Sequence, residues 1–521
     1  MARRAQPIGL WPGIVAAVLV LGLTFGTLGA VAWRAEDVSR LGPADWAAIR
    51  FTLTQALLSA TISVALAIPL ARALARRQFA GRSILVTLLG APFILPVIVA
   101  VLGLLAVFGR NGLVSTVLGW VGLEPVQIYG LHGVVLAHVF FNLPLATRLL
   151  LQGWLSIPAE RFRLAASLGF TPGDILRRLE VPMLRAMVPG AFLVIFLICT
   201  TSFAVALTLG GGPRATTVEL AIYQAFRFEF DLSKAAQLAM IQFTIGGLAA
   251  ALAFRLAIPS GIGVGLDRPR QVWGVSTGPL RVQDTAIITV ASLFLIAPLS
   301  MIVLRGLPGL FDLPIQVIEA TVRSAIVALC SAALTLLLAV PLAILINSSK
   351  GRRGAVVEAI GTLSIAASPL VVGTGLFILL FPLVNPVALA LPITALVNAV
   401  MALPFALRAI TPAHRQIEAD FGRLAGSLGL TGWARLRLLI LPRLRRPLGF
   451  AAGLSAALSM GDLGVIALFA DPDAATLPLQ LYRLMAAYRM QDAAAAALLL
   501  LICSLTLFWL FDHGGRLNAD A

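Results

Sequence analysis

The chain has 521 residues, 59% of them hydrophobic and only 12% charged, with a formal net charge of +16. A soluble domain carries about 25% charge, so this composition belongs in a bilayer. The basic residues sit in short clusters between apolar runs and form no aromatic-rich basic face, which argues against a nucleic-acid partner.

Arg3 and Arg4 precede an uncharged run from Gly13 to Trp33. Ala30-Val31-Ala32 would pass as a signal cleavage site, but a signal core spans about 7–15 residues. This run has 21, enough for a hydrocarbon core of ~30 Å, so it reads as a first spanning helix with the N-terminus in the cytoplasm. Further apolar runs follow at 52–75, 84–108, 132–153, 184–208 and 235–255, then at 285–305, 322–346, 356–381, 388–408, 447–469 and 494–511. The expected fold class is an all-α integral membrane protein of twelve spans, six in each half. Pro69, Pro92, Pro96, Pro341 and Pro369 lie inside these runs, where neighbouring helices can satisfy the freed backbone groups. With the N-terminus inside, 28 of the 39 Lys and Arg fall on the cytoplasmic side, as the positive-inside rule requires, and the C-terminus is cytoplasmic too. The Gly/Pro/Arg-rich stretch around 261–284 reads as a cytoplasmic linker between a first unit, 1–260, and a second, 285–521.

The halves repeat. From Pro144 to Pro182, 16 of 39 positions match the segment from Pro404 to Pro442 at a constant offset of 260. Several matches are polar or glycine (Arg148/Arg408, Arg163/Arg423, Ser167/Ser427, Gly169/Gly429, Thr171/Thr431), so shared greasiness does not explain them. Ser59-Ala60 and Pro69-Leu70-Ala71 match Ser331-Ala332 and Pro341-Leu342-Ala343 at offset 272, and Thr217 and Tyr223 match Thr476 and Tyr482. An even number of helices per half makes these parallel repeats, related by an axis along the membrane normal on which a pore is expected.

The repeated segments fill the loops at 155–185 and 415–446, on the cytoplasmic side. In the first, Ala159 to Leu168 alternates basic and apolar residues at helical spacing, with Gly169 suited to the left-handed position that ends a helix. Thr171-Pro172-Gly173-Asp174 then reads as a helix start: Thr171 as N-cap, Pro172 at N1, Asp174 near the positive end of the dipole. The second helix is expected to stop by Pro182. In the second copy Thr431 is also expected to cap, with Gly432 and Ala434 making a weaker start. Interfacial helices on anionic lipid would be the plain reading of one such loop; two copies in equivalent places fit a two-fold partner better.

These loops resemble the EAA motif of the permease subunits of ABC importers, with Gly169 and Gly429 at its signature glycine. The first copy departs from the motif at Arg161-Phe162-Arg163; the second, with Glu418-Ala419-Asp420, departs less. Gly109-Arg110-Asn111-Gly112, the stretch Tyr129 to Pro144, the stretch Gly210 to Gln224, and Met460-Gly461-Asp462-Leu463-Gly464 are similar to the thiamine (thiamine pyrophosphate) permeases of Gram-negative bacteria. Ferric-iron permeases share the architecture and are the alternative. The resemblance implies a type I importer fold in the inner membrane and a homodimeric ABC ATPase docked on the two loops. It also implies a periplasmic substrate-binding protein outside, and thiamine or thiamine phosphates as cargo. The implied docking residues are Arg163, Ala165, Gly169, Thr171, Asp174 and Arg177 in the first loop, and Arg423, Ala425, Gly429, Thr431 and Arg437 in the second. Neither lysine, Lys234 or Lys350, follows a glycine-rich phosphate loop, so ATP and Mg are expected on the partner chain and no cofactor or catalytic residue on this one.

Other candidates are single residues. Asp462 lies in the eleventh apolar run, and an acid there is costly enough to suggest the substrate path; its counterpart at offset 260 is Ser202. A capped acid near the helix end is the plain alternative. Gln55 and Asn398 read as helix–helix hydrogen-bonding groups. Tyr223 and Tyr482 mark two outer lips on which a binding protein could dock, or an interfacial aromatic belt. His132 and His138 lack acidic or cysteine neighbours, so no metal is expected. Cys199, Cys330 and Cys503 lie in apolar runs and read as small buried hydrophobes. A gradient-driven transporter would need more midplane ionisable groups, and an intramembrane enzyme would need a nucleophile–base set that the sequence lacks.

Overall fold

The computed structural model describes residues 9–35, 41–90, 94–256, 278–349, 351–362, 364, 367–469 and 474–516; among them every regular element is helical. The first half contains α1 (Trp11–Arg34), α2 (Pro43–Arg76), α3 (Val97–Phe108), α4 (Leu131–Ser156), α5 (Val181–Thr200) and α6 (Leu232–Leu256). The second contains α7 (Gly278–Gly306), α8 (Ile315–Ser348), α9 (Pro369–Leu380), α10 (Ala390–Ser427), α11 (Arg445–Met460) and α12 (Met490–Arg516). Eleven helical segments are long and apolar enough to cross a membrane, and α9, with 12 residues, is the short one.

Four of the expected spans are interrupted, pairwise at equivalent places. Run 84–108 splits into Arg82–Leu88 and α3, and run 356–381 into Arg352–Thr362 and α9. Pro96 and Pro369 lack the N–H a continuing helix needs, and each forces the residue before it out of the helical region. Ser368 is extended at φ −76°, ψ 154°, and its hydroxyl accepts the Val371 N–H at 3.1 Å, capping α9. Run 184–208 breaks at Thr201–Ser202 before a short helix, Phe203–Leu209; run 447–469 breaks at Gly461–Leu463 before Gly464–Phe469. Asp462 therefore lies in a helix break and not inside the eleventh helix.

The duplication organises the packing. In each half the second helix lies along the fourth and fifth, α2 on α4 and α5, α8 on α10 and α11. The first helix of each half crosses to the other: α1 packs on α8 and α9, and α7 on α3. Small residues allow the approach. A Cβ on Gly103 of α3 would meet the Pro298 carbonyl of α7 at 2.7 Å, and one on Gly375 of α9 would meet the Thr27 carbonyl of α1 at 2.5 Å. Gly103 and Gly375 are themselves a duplicate pair at offset 272. Apolar burial does not drive helices together in lipid, so close backbone contact at glycine supplies the packing that does.

The two halves are also latched by charge. Arg76 and Arg77, at the end of α2, bind the two oxygens of Asp284 on α7, both at 2.8 Å, and Asp284 is fully buried. The expected linker 261–284 is thus helical from Gly278, its last turns held by this clamp; 261–277 lie outside the described residues. Arg3, Arg4, Arg268, Arg270 and Lys350, counted above for orientation, lie outside them too. Gln55 donates to the Cys199 carbonyl of α5 at 2.9 Å, and Asn398 to the Ser459 hydroxyl of α11 at 3.0 Å, the helix–helix bonds expected of them. Cys199 is buried, but Cys330 is exposed on α8, on the apolar outer surface of the bundle, because it falls on the face opposite the α8–α10 packing.

Candidate functional site

The repeated loops lie on one face of the bundle. The first is a separate helix, Ala159–Ser167, entered through Pro158 after α4 ends at Ser156. It closes with Gly169 at φ +66°, the Phe170 N–H reaching the Ala165 carbonyl at 2.9 Å and the Gly169 N–H the Ala166 carbonyl at 3.1 Å. Gly429, at φ +67°, repeats this with Leu430 to Ala425 at 2.9 Å and Gly429 to Gly426 at 3.2 Å. Two bonds of this kind around a left-handed residue satisfy the last carbonyls of a helix. No atom lies within 4 Å of a Cβ built on either glycine, so its backbone angle, not crowding, requires it.

The next helix begins as expected in the first loop. Thr171 Oγ1 accepts the Asp174 N–H at 3.3 Å and donates to Asp174 Oδ2 at 2.6 Å, while the Thr171 N–H donates to the same carboxylate at 3.1 Å. In the second loop the expected cap is missing: Thr431 makes no side-chain cap bond. Gly432 sits at φ +51° and Ala434 offers no carboxylate, so the box cannot form.

Neither short helix stops at its proline. Leu176–Glu180 and Leu436–Ile440 are π-helical turns that run into α5 and, through Leu441–Arg443, into α11. The Val181 N–H bonds the Leu176 carbonyl, and the Leu441 N–H the Leu436 carbonyl, each five residues back. Pro182 and Pro442 have no N–H to donate, and the wider turn before them lets the chain continue without a broken helix. Each loop is therefore the end of a spanning helix.

The exposed faces of the two loops match. Leu164 (60% exposed) and Leu168 (62%) correspond to Leu424 (56%) and Leu428 (67%), beside exposed Arg163 and Arg177 or Arg423 and Arg437. Gly169, Thr171, Gly429 and Thr431 are exposed with them, and Asp174 partly so. Ala165 and Ala425 are buried, so they hold each loop against the bundle and present nothing outward. Leu164, Leu168, Leu424 and Leu428 were missed by sequence reasoning, although their identity at offset 260 marked them.

The undersides differ. In the first loop Phe162, Ala165 and Ile175 are buried, and Glu180 pairs with Arg72 of α2 at 2.7 Å. In the second, the position of Ile175 holds Arg435, buried and paired with Glu418 of α10, while Ile440 and Ile344 stand where Glu180 and Arg72 would be. Arg178 stacks over Phe170 in one loop and Arg443 over Phe421 in the other.

At the other face each half carries a short helix, Val218–Arg227 or Leu477–Ala486. The Val218 N–H is capped by Thr52 Oγ1 at 2.8 Å and the Leu477 N–H by Ser324 Oγ at 2.7 Å; Thr52 and Ser324 are duplicates at offset 272. Tyr223 and Tyr482 are half-buried and line one shared cavity of about 230 Å³, with Tyr223 edge-on to Phe203 and Phe228. Beyond them stand Phe230 (φ +53°, 80% exposed) and Tyr488 (φ +58°, 90% exposed), the two non-glycine residues with positive φ among those described. Left-handed geometry costs a bulky residue about 1–2 kcal/mol, and the two halves carry it at corresponding rims. The Gly210-Gly211-Gly212 turn beside them needs glycine at φ +73° and +122°.

Between the faces, Ser202 and Asp462 occupy the equivalent helix breaks. Asp462 Oδ1 accepts the Gly464 N–H at 3.2 Å while Oδ2 is left without a partner. Gly461 abuts Pro96 of the other half, where a Cβ would come within 3.1 Å of the proline Cα and 3.0 Å of its Cβ. Ser202 opens onto a cavity of about 240 Å³; Asp462 does not line it. Among the described residues no group of three or more His, Cys, Asp or Glu is placed to hold a metal.

Comparison with known proteins agrees with this layout. Residues 337–516 match the family of binding-protein-dependent transport system inner membrane components. The chain is 40% identical to the thiamine transport system permease protein ThiP of Escherichia coli, over 98% of both chains. It is 38% identical to that of Brucella abortus, over 91% of this chain and 89% of the relative, and 34% to that of Haemophilus influenzae, over 98% and 94%. Two duplicated six-helix units with paired loops on one face, and this degree of likeness along the whole length, give one conclusion: the chain belongs to the binding-protein-dependent inner membrane permeases, in the group of the thiamine transport system permease proteins.

Proposed function

We propose that this chain is the transmembrane permease of an ATP-driven importer that moves thiamine, or its phosphates, across the inner membrane. The observation that carries the cargo is the 40% identity over 98% of the chain to a thiamine permease. The two matched loops carry the mechanism. Each presents a leucine pair rimmed by arginines, a surface suited to the grooves of a homodimeric ATPase. Each continues through a π-helical turn into α5 or α11, so ATP-driven closure would pull on two spanning helices at once and switch the halves between inward- and outward-open states. ATP and Mg belong to that partner. The orientation follows the arginine count, with loops and both termini in the cytoplasm. A periplasmic binding protein would then dock on the opposite face, at the rims carrying Phe230 and Tyr488, with Tyr223 and Tyr482 behind them on the path.

The test is uptake of labelled thiamine into proteoliposomes holding the permease with its ATPase, supplied with loaded binding protein. Uptake should require ATP on the loop side and survive an uncoupler. Uptake by this chain alone, driven by a proton or sodium gradient, overturns the reading.

A further inference from the structure

The cavity of about 240 Å³ lies where the two halves meet. His138, Phe141, Asn142 and Ser202 of the first half line it, with Ala457 and Gly461 of the second. At about 30 Å³ per water this is the bulk of about eight waters, ample room for a heteroaromatic ring. Its wall is mostly apolar, yet three side chains bring hydrogen-bonding groups to it.

His138 is 3% exposed. Its Nδ1 lies 3.3 Å from Ser59 Oγ, which fixes the ring, and its Nε2 is buried without a partner. Asn142 is held by its amide, which donates to the His138 carbonyl at 2.9 Å and to Cys199 Sγ at 3.3 Å. A buried polar atom left open in a bundle costs free energy, and His138, its ring fixed by Ser59, is one of the residues that line this cavity. The duplicate positions show the contrast. Asn398 replaces His138 and is bonded to Ser459, Ala402 replaces Asn142, and Met401 replaces Phe141. The pairing of a histidine with an asparagine one turn on is thus particular to the first half.

Thiamine joins a thiazolium cation to a neutral aminopyrimidine. Among the described residues no acid lines this cavity, so it offers the cation no counter-charge. It offers a flat apolar wall, the Phe141 ring and hydrogen-bonding partners, which suit a neutral heteroaromatic ring bearing an amino group. We propose that this cavity is a transit subsite for the aminopyrimidine ring, with the side chains of His138, Asn142 and Ser202 as its polar lining. The permease then selects its cargo by the neutral ring and not only by charge. This rests on the thiamine reading given above.

The experiment measures uptake, in the complete reconstituted importer, of thiamine against an analogue whose pyrimidine amino group is replaced by hydroxyl. The binding protein is the same throughout, so a change in the ratio belongs to the permease. His138→Leu should lower the preference for thiamine about fivefold, the weight of one hydrogen bond, and His138→Gln should keep most of it. ATPase stimulation by loaded binding protein reports assembly. If His138→Leu does not assemble, Ala457→Leu decides instead: filling the cavity from the second half should slow thiamine uptake several-fold while leaving assembly intact. No thiamine uptake by the parent importer overturns the cargo, not the cavity. Thiamine uptake with the ratio unchanged in His138→Leu, or the rate unchanged in Ala457→Leu, overturns the subsite.

Discussion

In the first half the repeated loop is a free-standing helix entered through Pro158, tied to α2 by the Arg72–Glu180 pair and started by a full capping box. In the second half the same segment is the last third of α10, a 38-residue helix that runs through Pro404 and Pro412, and it is held by Arg435 on Glu418 with no side-chain cap. The outer faces nonetheless share the leucine pair, two arginines and the glycine, at φ +66° and +67°, and differ at Gly173/Trp433 and Arg178/Leu438, where the second loop exposes more apolar surface. A two-fold partner constrains only the surface it touches. Beneath that surface each half has its own packing: an ion pair from the loop to α2 in the first, and in the second a pair of isoleucines at those positions with the ion pair moved to Arg435 and Glu418.

The largest effect should come from breaking the support that only the first loop has. Glu180→Leu leaves Arg72, about 20% exposed, without its partner, and should cost about 2–3 kcal/mol. The unfolding midpoint in detergent measures it. Arg72→Ile with Glu180→Ile copies Ile344 and Ile440 and should recover most of that loss. If the double variant is as unstable as the single one, the ion pair is not what holds the first loop.

Much of this layout was legible because the duplication supplied a second reading of each residue. The left-handed glycines, the Thr171–Asp174 box and the twelve apolar runs follow from local rules, and local rules govern helix ends and spans. The same rules misplaced what depends on neighbours. Pro182 reads as a stop, yet the π-helical turn before it absorbs the missing N–H. Run 388–408 reads as ending near Arg408, yet α10 continues to Ser427 because Thr411, His414 and Ile417 remain buried against the bundle. Asp462 stands out in the sequence as an acid in an apolar run, while His138, which lines the cavity, offers the sequence only the question of a metal ligand. Its open Nε2 is a fact of packing between halves, and no single-chain pattern encodes it.

A smaller effect separates the loops by how they pass on strain. Valine at a φ of about +66° costs about 1–2 kcal/mol and meets no neighbour at either glycine, so Gly169→Val and Gly429→Val should destabilise the fold equally. Their effects on coupling should differ. The first loop can pivot at Pro158, whereas the second is continuous with α10 and hands the distortion to a spanning helix. Gly429→Val should therefore raise the ATP hydrolysed per thiamine imported more than Gly169→Val does. Equal ratios would show that the continuity of α10 does not matter to transmission.

The smallest difference lies at the caps. Thr171→Ala removes a hydroxyl that accepts one backbone N–H and orients Asp174, and should cost about 1 kcal/mol of local helix stability. Thr431→Ala removes a hydroxyl that caps nothing, and should stay within about 0.5 kcal/mol, the range of an ordinary surface change. Hydrogen exchange at the amides of residues 172–175 and 432–435 reads both. The first set should exchange faster in Thr171→Ala, and the second should keep its parent rate in Thr431→Ala. Because Gly432 at φ +51° already turns the chain away from a capping geometry, replacing Gly432 with proline and Ala434 with Asp should import the missing box and slow exchange at 433–435. Unchanged protection in that variant would mean that the support beneath, and not the four-residue start, decides how firmly each loop is held.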